Sequence, residues 1–289
     1  MTTMAPPEFK NIRLERRNSV AHVVLARPDK LNALAFGPGS NRAEIAAALQ
    51  WADADPDTGA VLIRAEGRSF CAGGDLTGLE AFAGAGQDEF LIAEVDRFHA
   101  AVRQTQKPTI AAVHGACLGA GLGFIVQCDF VLASTNATFG LPEGRFGHPG
   151  GSELVPLIGQ AWAKFMIFTG ERLDARRAVD IGLVLLMLEL SQLEPGACEL
   201  AERIARMPKD ALRLNKAAID KAGEAGGRGV ARIAGRSGDV ATKSMSRHAK
   251  APDGRLFEDI LRAEGPQGLK KAQQQQYTES WLEKYVDPI

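Results

Sequence analysis

Two glycine-rich turns and a single acid carry the chemistry this sequence offers. The first turn is Cys71-Ala72-Gly73-Gly74-Asp75, and the second, Gly115–Gly123, holds four glycines in nine residues. Each follows an apolar run, and glycine there lets backbone come close to a neighbour or a ligand. A helix beginning near Leu118 would aim the N–H groups of Gly119, Ala120 and Gly121 out of its N-terminus. Such donors suit an anion or a developing oxyanion. Glu143 stands in an apolar setting, Phe139-Gly140-Leu141-Pro142-Glu143-Gly144, where burial favours the neutral carboxyl and raises its pKa. Fixed donors beside a carboxyl form a working unit for enolate chemistry. The donors hold the oxygen while the acid moves a proton at the adjoining carbon.

Other chemistries lack their residues. There is no GxSxG elbow and no GxxxxGK[ST] loop, and the five histidines show no HExxH or other metal spacing, so no metal site is expected. A dinucleotide site is the rival reading. Gly119-Ala120-Gly121-Leu122-Gly123 follows a strand and opens a helix, and Glu143 lies 20 residues past Gly123 (143 − 123), where a ribose-binding acid could sit. GxGxxG counted from Gly119 needs glycine at 124, where Phe124 stands. Two donor turns with one acid account for both glycine clusters, whereas a dinucleotide fingerprint accounts for one. Cys71 has no base beside it in sequence and reads as a small buried residue.

The elements that must position these groups can be read along the chain. Strands are expected at Val20–Leu25, Ala60–Ala65, Thr109–Val113 and Leu183–Leu188, from short β-branched apolar runs. Helices are expected over Asn41–Trp51, Asp88–Thr105, Ser152–Ile158 and Trp162–Phe168, with a short one starting at Leu173-Asp174-Ala175. His22 falls in a strand and reads as structural, and His99 reads as a solvated or core-edge residue of its helix. Residues 77–87, small and flexible in type, suit a mobile lid. Beyond Pro195 the pattern is helical without strands: Ala197–Met207, Asp210–Ala222 and a glutamine-rich tail over Lys270–Tyr285. A boundary near residue 190 divides an α/β core (1–190) from a helical region (191–289), the latter suited to a lid or to subunit contacts. The recurrence of strand, strand and helix before the boundary suits a solenoid-like repeat.

With 289 residues and a net charge of −1, the chain can bury a large core and shows no bias toward nucleic acid or an anionic membrane. Its four scattered cysteines suggest a reducing compartment, the cytoplasm. The N-terminus lacks an apolar stretch of the secretory kind, and no apolar run reaches the ~18 residues of a membrane span.

Five ordered motifs then resemble the crotonase (enoyl-CoA hydratase/isomerase) superfamily: RPDKLNAL (27–34), SFCAGGDL (69–76), KPTIAAVHGACLGAGLGF (107–124), CDFVLASTNATFGLPEGRFGHPGG (128–151) and FTGERLDARRAVDIGLV (168–184). The resemblance spans roughly residues 12–190. It implies a spiral of ββα turns with a helical C-terminal region, homotrimers or hexamers, and an acyl-CoA substrate with no separate cofactor. By match of motif, Ala72 and Ala120 hold the thioester oxygen through their N–H groups. Gly73, Gly74, Asp75 and Leu76 run along CoA, Lys30 and Leu31 lie near its other side, and Gly119, Pro142 and His148 complete the substrate-binding set. Glu143 matches one of two family glutamates. Gly123 stands where the other is usual, and Ala120 where glycine is commoner. Two carboxylates assist hydration, whereas one acid can still shuttle a proton between carbons, so the loss of the first tilts the expectation toward double-bond isomerisation or altered hydration. Thioester or C–C bond hydrolysis, and a non-catalytic CoA- or RNA-binding relative, are the alternatives. His148 and Glu153 are candidates for a second group, with loop-shaping before Pro149 as the other role for His148.

Overall fold

Apolar strands buried on both faces set the architecture. The computed structural model describes residues 4–77, 85–274, 277 and 279–285. Six strands, β1 (Ile12–Arg17), β2 (Val20–Leu25), β3 (Ala60–Ala65), β4 (Thr109–Val113), β6 (Phe130–Ser134) and β9 (Leu186–Leu188), form one sheet in the order β1-β2-β3-β4-β6-β9. Only β1 is antiparallel to its neighbour. Parallel strands covered on both sides read as unbroken apolar runs, and every residue of β2 and β4 is buried. A second, smaller sheet has the order β5-β7-β8, from Ala116–Leu118, Thr138–Gly140 and Arg172–Asp174.

The two sheets are stitched together by the chain's winding. After β4 the chain passes straight into β5 and then into helix α3 (Ala120–Ile125), and after β6 it passes into β7 and, past a loop, into α4 (Val155–Thr169). The segment after β3 follows the same course without a full strand: Cys71 pairs with Cys117 of β5, and Gly74 pairs with Leu34 on the other side. Each turn of chain thus gives one strand to the large sheet and one extended piece to the small layer, before α1 (Asn41–Ala54), α2 (Ala85–Arg103), α3 or α4. This is the winding of the expected ββα spiral.

Alternation along the strands divides the core. Ala111 and Val113 face the interior shared with Phe70, Phe124 and Phe139. Ile110 and Ala112 face outward onto α6 (Leu190–Ala205), which lays Leu193, Ala197, Ala201 and Ala205 on the sheet at four-residue spacing. A short α5 (Ala175–Asp180) precedes β9, and α7 (Lys209–Gly223), α8 (Gly229–Ser246), α9 (Phe257–Gln274) and α10 (Trp281–Tyr285) make up the helical C-terminal region.

Three local expectations are corrected. The helix expected near Leu118 starts at Ala120, because Ala116–Leu118 pairs as a strand with β7. Arg172–Asp174 is a strand, with Asp174 capping α5 through the Arg177 N–H at 2.7 Å. Helix α6 begins at Leu190 and runs through Pro195, which forgoes one ladder bond in a helix fixed by its packing on the sheet. Of the expected lid, residues 78–84 lie outside the described residues, as do Gln275 and Gln276 of the glutamine-rich tail.

The tightest approach in the spiral is between α3 and the segment after β3. A Cβ on Gly121 would sit 2.8 Å from Cys71 Cβ, Sγ and carbonyl oxygen, and that oxygen is itself held by the Leu118 N–H at 2.9 Å. Gly121→Ala therefore lowers stability by about 1–3 kcal/mol through overpacking. Gly238→Ala, on the exposed side of α8 with nothing within 4 Å, gains about 0.5–1 kcal/mol from helix propensity. Denaturant midpoints of the two variants should move in opposite directions, and movement in the same direction would refute this account of Gly121.

Candidate active site

The segment Cys71–Asp75 lies between Leu31–Leu34 on one edge and β5 on the other. Cys71 N–H donates to Ala116 O at 3.0 Å, and its carbonyl accepts from Leu118 N–H. In a trans peptide the C=O and N–H of one unit point opposite ways. The Ala72 N–H, sharing a peptide with the Cys71 carbonyl, therefore faces away from β5 and donates to Leu31 O at 3.0 Å. This corrects the expectation for Ala72, whose amide is engaged in holding the loop and is not free for a ligand.

Gly73 reverses the pattern. Its φ of +120° is one that side-chain-bearing residues rarely adopt, and it turns the next peptide so that the Gly73 carbonyl accepts from Leu34 N–H at 2.9 Å. The Gly74 N–H, on the other edge of that same peptide, consequently faces back toward β5 and the start of α3. It makes no hydrogen bond among the described residues, and a Cβ on Gly74 would meet nothing within 4 Å. The loop is anchored beyond this point by Asp75. Its N–H donates to Leu34 O, and its carboxylate accepts from Arg27 Nη2 at 2.8 Å and Thr77 N–H at 3.0 Å. Burial would raise the Asp75 pKa, but these partners hold it below the ordinary range.

At α3, the Gly119 N–H is also engaged, donating to Gly140 O at 2.9 Å. Ala120 and Gly121 open the helix, have no carbonyl four residues back to bond, and donate to no other group among the described residues. Glu143 reaches this point from a 3-10 turn, Pro142–Phe146, that His148 N–H closes on Glu143 O at 3.0 Å. Its carboxyl packs on the main chain of Gly119. A Cβ there would lie 3.0 Å from Oε2 and 3.2 Å from Oε1, so only glycine leaves room for the acid. The carboxyl makes no side-chain hydrogen bond among the described residues, and burial pushes its pKa up to about 7. Among the described residues the amides of Gly74, Ala120 and Gly121 are thus left without a partner near the N-terminus of α3, where the Glu143 carboxyl also lies.

The remaining expected residues divide. Leu31 adopts φ +49° and supplies the carbonyl that holds Ala72, while Lys30 is exposed at the end of the turn Pro28–Lys30. Leu76 packs against the cluster of Ala251, Phe257 and Ile260, which ties the loop to α9. Pro142 opens the turn that carries Glu143, and its carbonyl accepts from Gln273 at 3.4 Å. His148 joins the site through its backbone only. Its ring is turned away to Lys243 of α8, with Nε2 3.1 Å from Nζ, and lies edge-on to Phe146. Burial and then the Lys243 charge push its pKa down to about 3, so the expectation of a substrate-binding imidazole is corrected to a neutral, structural one. Cys71 is fully buried, which raises its thiol to about 11, in keeping with a packing role. The group that sequence reading missed is His99 of α2, whose ring lies against Gly123, 3.2 Å from where a Cβ would stand. A position 24 residues away (123 − 99) leaves no local pattern to find.

Comparison with known proteins finds relatives over most of the chain. A family model described as enoyl-CoA hydratase/isomerase matches residues 15–243. The chain is 36% identical over 222 residues to a probable enoyl-CoA hydratase of Mycobacterium tuberculosis, covering 75% of this chain and 83% of that one. It is 34% identical over 219 residues to the short-chain-enoyl-CoA hydratase of Clostridium acetobutylicum, covering 74% and 82%. The crystal structure of an enoyl-CoA hydratase/isomerase from Xanthobacter autotrophicus Py2 superposes with a TM-score of 0.85 at 30% identity, over 93% of this chain and 99% of that chain.

The raised carboxyl has a consequence for stability. Between the ordinary value of 4.5 and the folded value of about 7, the unfolded chain releases a proton that the folded chain retains. Stability is therefore lost as pH rises through this window and stays lower above it. Glu143→Gln removes the loss, so its denaturant midpoint should exceed that of the wild type at pH 8 and match it near pH 4. An equal difference at both pH values would contradict the raised pKa.

Proposed function

The chain belongs to the enoyl-CoA hydratase/isomerase family, and on that premise we propose that it processes an acyl-CoA thioester through an enolate, with Glu143 as the acid/base. The observation that carries the reading is the meeting of the Gly74 and Ala120 amides with the Glu143 carboxyl at one end of α3. The thioester oxygen lies between the two N–H groups, which stabilise it more as negative charge accumulates. Carbon acidity beside the carbonyl rises accordingly, and Glu143 removes or returns the proton there. A pKa of about 7 suits both directions, since each protonation state is populated near neutrality. The strip Gly73–Leu76 and the turn at Lys30 and Leu31 flank the CoA portion. Ala120 adds a methyl group at the mouth of the site and narrows it relative to glycine.

The chain also self-associates in this reading, in three or six copies. Its support is the apolar surface that α7 and α8 leave open, with Leu214, Ile219, Val230 and Ile233 exposed. Among the described residues no helix is long and apolar enough to cross a membrane.

The test is turnover of 2-enoyl- and 3-enoyl-CoA, following water addition and double-bond migration separately, together with exchange of the α-proton of a saturated acyl-CoA in deuterium oxide. Glu143→Gln should lower all detectable turnover and exchange by about 100- to 10,000-fold while leaving CoA affinity intact. In the wild type, proton abstraction should rise with pH along a limb centred near 7, because the base must be ionised. Exchange that survives Glu143→Gln, or a limb in the ordinary carboxylate range, would sink the reading.

A further inference from the structure

The place left by the absent first glutamate is filled by a side chain from another element. Gly123 lies one helical turn below Gly119 on α3, joined to it by the Gly123 N–H to Gly119 O bond of 2.9 Å. Residues four apart share a face, about 6 Å apart along the axis. The Glu143 carboxyl rests on the upper of these two glycines. The His99 ring rests on the lower, with Cε1 and Nε2 at 3.2 and 3.3 Å from where a Cβ would stand. A side chain at 123 would press on the ring and require it to shift.

His99 is also oriented from behind. Its Nδ1 lies 3.7 Å from Glu153 Oε1, and its side chain is 13% exposed. Glu153 is held in turn by the Gln127 amide, which also bonds Gly123 O at 3.2 Å and takes Arg103 Nη1 at 2.8 Å on its oxygen. Arg103 on α2 is the cation facing this group, Asp239 on α8 is a further acid near Glu153, and Asp96 on α2 lies near Asp239. Glu153 stands on the Nδ1 side of the ring, so the Cε1–Nε2 edge is the one turned toward Gly123.

We propose that His99, positioned by Glu153, is the second acid/base of the site and gives this chain a route for adding water across a 2-enoyl thioester. The inference rests on the acyl-CoA reading above. His99 Nε2 takes a proton from water as the water oxygen bonds to the β-carbon. The π electrons move onto the thioester oxygen at Gly74 and Ala120, and the protonated Glu143 delivers its proton to the α-carbon. The proton on His99 then returns through solvent to the Glu143 carboxylate, so that one water is consumed and both groups are restored.

The experiment separates the two groups. His99→Gln should lower hydration of a 2-enoyl-CoA by about 100-fold while leaving α-proton exchange, which needs only Glu143 and the amides, within threefold of wild type. Glu153→Gln should lower kcat for hydration with KM unchanged. The double variant His99→Ala/Gly123→Glu, which clears the ring and restores a carboxylate, should hydrate at least tenfold faster than His99→Gln. A His99→Gln chain that does not fold is replaced by His99→Asn under the same criteria. Hydration within threefold of wild type in the folded variant overturns the proposal, as does a wild type that exchanges the α-proton yet adds no water. A wild type that fails to exchange overturns the acyl-CoA reading itself.

Discussion

The site depends on how closely the first turn of α3 is gripped by two other pieces of chain. Gly121 lies directly on Cys71, and Gly119 lies directly under the carboxyl of Glu143. Interiors packed at this density leave little room to shift, so the spacing between the loop after β3, the helix end and the acid is set by close contact against glycine main chain, with no side chain of α3 between them. That is the precision an oxyanion site needs, because a donor displaced by an ångström loses most of its differential hold on a transition state.

The spiral makes this grip possible. Each turn sends one strand into the large sheet and one extended piece into the small layer, so segments distant in sequence arrive side by side at the same height. Leu34, the Cys71–Gly74 segment, Leu118 and Gly140 come from successive turns of the chain and are joined edge to edge by backbone pairing. Within that row a single reversal, the peptide after Gly73, turns one donor out of the lattice. The groups on either side hold the loop in place: the Ala72 amide on Leu31, the Gly73 carbonyl on Leu34, the Asp75 amide on Leu34 and its carboxylate on Arg27. A donor turned out of such a row is available to a ligand.

Much of this was legible in the residues. Thr109–Val113 announced a buried strand, the apolar surroundings of Glu143 announced a raised carboxyl, and the glycines of 115–123 announced close backbone approach. The two-residue slip from Gly74 to Ala72 has a physical origin. Residue types in Cys71–Asp75 indicate that the chain turns, but the edge on which each N–H emerges depends on the φ of Gly73 and on partners at Leu31 and Leu34. The three-residue strands of the small sheet, β5, β7 and β8, were hidden because no periodicity fits in so short a run. The surroundings of His148 and His99 were hidden for the same kind of reason. The first is adjacent to the acid in sequence but faces Lys243, and the second is remote in sequence but faces Gly123.

Charge regulation around α3 gives the last step. Glu143 and Glu153 follow each other in one loop, yet their environments push them in opposite directions. Glu143, pressed against main chain with no cationic partner, is raised to about 7. Burial would raise Glu153 as well, but His99, Gln127 and Arg103 outweigh it and bring the carboxyl down to about 2. Two like acids are thus held far apart in pKa by their surroundings. One can gain and lose a proton near neutral pH, and the other is a fixed negative charge beside the His99 ring. The division between a titrating acid and a fixed one therefore follows from the placement of Arg103, Gln127 and His99, all outside the loop that carries the two acids.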